Sequence, residues 1–288
     1  MRRSSIIFLL SILLGLLFPE FASNFSPFTN VFLVALMFFS LKNVKFHKFS
    51  AKHFRNVQWL FVVSLFSGLV FIFVSSFLIS DSDIISGIIL FGLMPPAIGV
   101  IGLSYILKGD VEEALIGETL SYFAYLIITP LLALFFLGAQ ISFISILSIF
   151  LTLIILPLML AFITRHVDTS RYNRVGIEFC FALIFFTVIG KNVDSLIREP
   201  LLFAGLAFLI VLFRFAFTSL FHFSSRKLGF SVNEEKAFVL FSTLKNSGLA
   251  SVIAINLFPP RTLMVLAAEM LIFPLFIIFL ENHYLRKK

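Results

Sequence analysis

Met94-Pro95-Pro96-Ala97-Ile98-Gly99 interrupts a run from Ile84 to Leu107 that contains no charged residue. A second interruption, Lys245-Asn246-Ser247-Gly248, falls inside the apolar run from Lys236 to Leu257. Paired prolines remove two backbone donors and clash with the preceding turn. Asn, Ser and Gly lower helix propensity and free the backbone. Pro95, Pro96, Gly99 and Gly248 are therefore the expected helix-breaking positions. One such kink is harmless. Peptide groups freed at membrane depth are tolerated only beside protein or a wet cavity, so two matched breaks point to a central site.

The rest of the chain places these breaks in a membrane. Hydrophobic residues make up 60%, charged residues 13%, and mean hydropathy is +1.08, well outside the range of soluble domains. The remaining apolar segments run Ser4 to Phe18, Phe28 to Leu41, Val57 to Ile79, Val111 to Leu137, Ile141 to Thr164, Val175 to Gly190, Pro200 to Phe221 and Thr262 to Leu280. With the two broken runs these form an all-α membrane protein of about ten transmembrane helices. The broken runs are the fourth and ninth. Five helices per half is an odd number, so the second half enters the bilayer inverted relative to the first. A single transmembrane transporter domain over 1–288 follows, with repeats at 1–139 and 140–288.

Alternate connections sort the basic residues sharply. Lys42, Lys45, Lys48, Lys52, Arg55, Lys108, Arg165, Arg171, Arg174, Arg226, Lys227 and Lys236 fall on one side with both chain ends, and Lys191, Arg198 and Arg261 on the other. Positive charge collects on the cytoplasmic face. The expected location is the cell (plasma or inner) membrane, multi-pass, with both termini cytoplasmic. The formal charge of +7 is thus a topology signal spread between apolar runs, and no nucleic-acid partner is expected. The apolar residues Ile6 to Phe18 read as a first span ended by Pro19 and Glu20, because no small-residue cleavage site follows them. Most of the 41 phenylalanines are assigned to acyl chains and helix contacts.

Three charges reach the core of the bilayer. At 1.5 Å per residue, Lys245 is ~13 Å past Lys236, Glu118 ~12 Å past Asp110 and Glu269 ~13 Å past Pro260. A central charge costs at least about 2.5 kcal/mol on insertion scales, so each needs a partner, water or a purpose. One reading is a buried ion pair between Lys245 and a carboxylate that only locks helices together. The other makes Lys245 an anion or charge-balancing site, helped by half-helix N-termini, with Glu118 and Glu269 as proton sites. Asn246, Ser247, Thr119 and Ser121 complete the candidate substrate and ion site. Arg214 is left out as a residue that snorkels to the surface. Glu112, Glu113, Glu178, Glu234 and Glu235 are assigned to helix starts, where carboxylates complement the dipole. His47, His53, His166, His222 and His283 show no ligand spacing, and Cys180 is the only thiol, so neither a metal site nor a cofactor is expected.

Leu244-Lys245-Asn246-Ser247-Gly248-Leu249-Ala250 resembles the ninth-helix signature of the bile acid:sodium symporter family, in which a glutamine precedes Asn-Ser-Gly-Leu-Ala. Pro95 to Asp110, with Tyr105-Ile106-Leu107-Lys108-Gly109-Asp110, is similar to the fourth helix and following turn of that family and of the related arsenical resistance-3 carriers. Thr129-Pro130 fits as well. The departures bear on mechanism. Phe241 and Lys245 stand where the symporters have a sodium-binding glutamate and the glutamine, and Ala97-Ile98-Gly99-Val100-Ile101-Gly102 replaces their Gly-Gly-Thr-Ala-Ser-Asn. Glu269, five residues before Pro274, is similar to a tenth-helix glutamate of the arsenical carriers, but Pro96 stands where those carriers have a cysteine, which removes arsenite as a substrate.

The resemblance implies a secondary active transporter of a small organic anion. A fixed ammonium in place of a bound cation makes it sodium-independent and proton-coupled, so H+ is the expected co-substrate. A Na+-coupled carrier, or a membrane receptor or assembly protein on the same fold, are the alternatives. An intramembrane enzyme would need paired catalytic groups on one cleft, and the neighbouring Glu112 and Glu113 point to different helix faces.

Overall fold

A computed structural model describes residues 2–42, 51–138 and 143–285. Lys45, Lys48, Arg286, Lys287, Lys288 and His47 lie outside the described residues, as does the join expected between the two repeats at 139–140. The chain is helical, with no strand among the described residues. Its helices are α1 (Arg2–Leu17), α2 (Pro19–Ser23), α3 (Thr29–Lys42), α4 (Ala51–Ser76), α5 (Ser82–Gly92), α6 (Val100–Ile106), α7 (Val111–Leu137), α8 (Phe143–Ile163), α9 (Ser170–Arg198), α10 (Pro200–Leu228), α11 (Val232–Thr243), α12 (Ser247–Leu257) and α13 (Leu263–Leu285).

Among the described residues, seven segments are long and apolar enough to cross a membrane: Pro19–Lys42, Val57–Ser76, Val111–Leu137, Phe143–Ile163, Arg171–Arg198, Pro200–Ser225 and Pro260–Leu285. Three shorter apolar helices, Ile6–Leu17, Ser82–Gly92 and Ser247–Leu257, accompany them. This is an all-α membrane protein. The expected fourth run becomes α5 and α6, and the expected ninth becomes α11 and α12.

Polar groups define where helices start. Asp81 accepts from the amides of Asp83 and Ile84 at the head of α5, and Asp110 accepts from Glu113 N at the head of α7. Ser231 and Glu234 form a reciprocal capping box on α11, satisfying donors that have no partner inside the helix. Glu112, Glu113, Glu234 and Glu235 all lie in first turns as expected. Glu178 does not: α9 starts at Ser170, and Glu178 in its third turn takes Arg174 as an (i, i+4) partner at 3.0 Å.

The core and the lipid face separate cleanly. Every residue from Ser247 to Ala254 and from Leu263 to Met270 is buried, so α12 and the first half of α13 run through the middle of the bundle. Outer helices expose apolar side chains such as Phe66, Phe73, Phe77, Phe135 and Phe162, which suits an acyl-chain solvent. One helix crossing is unusually close. A Cβ on Gly68 of α4 would lie 1.9 Å from the Gly92 carbonyl oxygen of α5, and one on Gly92 would lie 2.8 Å from the Gly68 oxygen. Two glycines let these backbones touch, as small residues do in membrane helix pairs.

The loops sort by end. Arg261, before α13, pairs with Glu199 (2.6 Å), before α10, and with Asp81 (3.4 Å), before α5. At the opposite end Lys42 donates to the carbonyls of Thr164 (2.6 Å) and Val167 (2.7 Å), and Lys236 donates to that of Lys108 (3.1 Å).

Candidate functional site

The two interruptions meet. Pro96 and Lys245 form an isolated antiparallel bridge: Ala97 N–H donates to the Leu244 carbonyl (3.0 Å), and Asn246 N–H donates to the Pro95 carbonyl (2.9 Å). Proline supplies no N–H, and a broken helix leaves carbonyls without their usual partners. Helix α7 supplies the missing donors. Thr129 Oγ1 donates to the Leu93 carbonyl (2.7 Å), and Tyr122 OH donates to that of Pro96 (3.3 Å). Asn246 has two tasks: its Oδ1 accepts from Leu249 N (2.9 Å), capping α12, and its Nδ2 donates to Tyr122 OH (2.6 Å). Pro95, Pro96 and Asn246 thus sit at one crossing, tied to α7 by hydrogen bonds. Gly99 caps α6 from the end of the first break. Gly248 lies within α12, so the second break ends at Asn246. Ser247 opens α12, with its carbonyl accepting from Ser251 Oγ at 2.7 Å.

Lys245 is fully buried at the crossing. Its ammonium donates to the carbonyl of Ser64 and, at 3.0 Å, to the Ser64 hydroxyl, both on α4. Tyr125 OH meets that hydroxyl at 3.1 Å, and the Tyr125 ring lies 5.9 Å from Nζ. Among the described residues no carboxylate pairs with Lys245, so the locking ion pair considered from sequence does not form there. Glu269 forms one instead, with Arg214 of α10. Arg214 is not a snorkelling residue: both members are fully buried, and the guanidinium lies over Phe276 (4.8 Å) and Phe273 (5.7 Å). Among the described residues Arg214 Nε and Nη1 and Glu269 Oε2 have no hydrogen-bond partner. The helix continues to Leu228, seven residues past the end expected at Phe221, which puts Arg214 fourteen residues from either end and beyond the reach of a snorkelling stem.

Glu118 stands apart from both. The backbone of Ile101, in the first turn of α6, lies beside its carboxylate, and Glu118 Oε2 has no hydrogen-bond partner among the described residues. It lines a small cavity of about 60 Å³ with Ile98, Ile101, Leu115, Thr119 and Tyr122. Thr119 turns its hydroxyl back to the Leu115 carbonyl (2.8 Å). Ser121 is buried on α7, off the wall of this cavity.

A larger cavity of about 440 Å³ opens on the other side of α6, between it, α9 and α13. Gly99, Gly102, Arg174, Phe181, Phe273 and Pro274 are on its wall. Added Cβ atoms on Gly99 or Gly102 would meet nothing within 4 Å among the described residues, so these glycines leave the α6 backbone bare toward the cavity. Phe273 connects this wall to the ion pair, being one turn beyond Glu269 and stacked beneath Arg214. The volume is that of a small-ligand pocket, mostly apolar with few polar groups.

The model of the Sodium Bile acid symporter family matches residues 30–198. The match covers the first break and all of α7 and ends before Lys245. No curated protein matches the chain.

Proposed function

Because the chain belongs to the sodium bile acid symporter family, we propose that it is a secondary active carrier of small organic anions that runs without sodium and is coupled to protons. The observation that carries this reading is the Lys245 ammonium, held by a backbone carbonyl and a hydroxyl of Ser64 where the two helix breaks cross. Carbonyl and hydroxyl oxygens are the donors that a hard cation takes. A lysine on the chain supplies the same charge permanently, so the crossing is neutralised with no ion from solution. Lys245 then acts by balancing charge and holding the crossing, since it lies on the wall of neither cavity.

The anion belongs in the 440 Å³ cavity. Its aromatic and aliphatic wall suits an apolar body, and Arg174, half of an ion pair with Glu178, can turn a donor toward a carboxylate. The proton belongs on Glu118, whose Oε2 meets no fixed donor among the described residues, with Glu269 as the second candidate, restrained by Arg214. We further read the architecture as ten crossings in two inverted halves, 1–139 and 140–288, within the cell membrane and with both termini cytoplasmic. The sorting of Asp81, Glu199 and Arg261 to one end and of Lys42, Lys108 and Lys236 to the other supports it.

The test is uptake of a panel of labelled carboxylates into proteoliposomes with proton and sodium gradients imposed separately. Flux of at least one of them, lost in Lys245→Ala protein that elutes and melts as a folded species, is the expected outcome. Absence of flux for every carboxylate, under every gradient, would leave a binding or assembly protein on this fold instead.

A further inference from the structure

At the end of the bundle where Lys236 meets Lys108, three helices bring together groups that are far apart in sequence. His222 of α10, Glu235 of α11 and His283 of α13 each offer one ligand atom, and these atoms lie within 4.8 Å of one another. We propose that the three residues form a binding site for a divalent transition-metal ion of the zinc class.

The donor set selects the ion. Two imidazole nitrogens and one carboxylate oxygen suit Zn2+, Co2+ or Ni2+, whereas Mg2+ and Ca2+ take oxygen ligands. The geometry needs little adjustment. Donors about 2.0–2.1 Å from a tetrahedral ion stand roughly 3.3 Å apart. His222 Nδ1 and Glu235 Oε1 are now 2.8 Å apart, so an ion replaces the shared proton by widening this contact slightly, while His283 closes by side-chain rotation.

The surroundings are those of a metal centre. Tyr284 OH donates to Glu235 Oε1 (2.9 Å) and Ser225 Oγ donates to Oε2 (2.7 Å), which fixes the carboxylate as outer partners of metal ligands do. The His283 ring stacks on Phe279 at 5.7 Å and meets His222 edge-on at 5.3 Å. A cavity of about 270 Å³ lined by His222, Ser225, Glu235, His283 and Tyr284 gives an ion a way in and leaves a fourth position for water. Occupancy cross-links α10, α11 and α13, clamping the half-helix that leads to Lys245.

Full-length protein carrying no oligohistidine tag and stripped with chelator would be titrated in detergent with Zn2+ by calorimetry and with Co2+ by visible absorption. One saturable equivalent is expected, with the intense ligand-field bands of a tetrahedral Co2+ centre, a metal-dependent rise in melting temperature and no competition from Mg2+. His283→Ala and His222→Gln should each weaken binding tenfold or more, and His166→Ala, far from the cluster, should not. Glutamine at 222 can still donate to Glu235, so that variant keeps the fold if His283→Ala does not. Absence of saturable binding, or one equivalent that survives in folded His222→Gln protein, would overturn the proposal.

Discussion

Glu269→Leu should unfold or strongly destabilise this protein, and Arg214→Met combined with it should restore the fold. With Glu269 removed, Arg214 remains a fully buried cation whose only hydrogen-bonded partner among the described residues is gone, leaving two Phe rings beneath it. Cation–π contact returns about 0.5–2 kcal/mol at a desolvated site. Losing one partner of a buried pair costs about 3–5 kcal/mol, so the rings do not compensate. Replacing both charges with apolar side chains of similar volume is neutral or gains about 1–4 kcal/mol. The assay is thermal melting of both single variants and the double, read as a cycle, with uptake measured on whatever folds. A single variant with wild-type melting, or a double no better than either single, would refute the reasoning. A stable double that still transports would make the pair structural and remove Glu269 from the proton sites.

Gly68→Ala should cost about 1–3 kcal/mol or more, because its Cβ would lie 1.9 Å from a backbone oxygen of α5, while Gly205→Ala, with open space around it among the described residues, should melt no lower than wild type; differential scanning fluorimetry separates them. Thr129→Val removes the donor to the Leu93 carbonyl and should cost about 1–3 kcal/mol, the desolvation penalty of an orphaned buried acceptor, in the same assay. Glu118→Gln should leave melting within about 1 kcal/mol of wild type, since its Oε2 makes no hydrogen bond among the described residues, yet abolish uptake driven by a proton gradient; proton-driven uptake at the wild-type rate would take the proton away from Glu118.

Sequence located the two breaks because proline's missing N–H and the low helix propensity of Asn-Ser-Gly are local facts. It could not show that Pro96 and Lys245 pair backbones, or that Tyr122 and Thr129 supply the donors the prolines lack, because those partners come from a separate helix. Lys245, Glu118 and Glu269 were legible as charges at depth, but their partners were not. Ser64 is one of several serines in an apolar helix, and nothing local marks it as a lysine acceptor. Arg214 reads as a snorkelling residue because the apolar run ends at Phe221, whereas α10 continues to Leu228 and leaves it mid-helix. His222, Glu235 and His283 read separately, as span-end histidines and a helix-start carboxylate, for a related reason: metal spacing is read within a turn or a loop, and these three converge only when α10, α11 and α13 pack.

The most direct test of Lys245 as a resident cation is sodium dependence of uptake, measured in proteoliposomes for wild type and Lys245→Gln with sodium and proton gradients imposed separately. Wild-type flux should follow the proton gradient and ignore sodium, and Lys245→Gln flux should collapse in sodium-free buffer. Wild-type flux that requires sodium would contradict the assignment, and would mean that a cation is bound at a place other than the Ser64 oxygens.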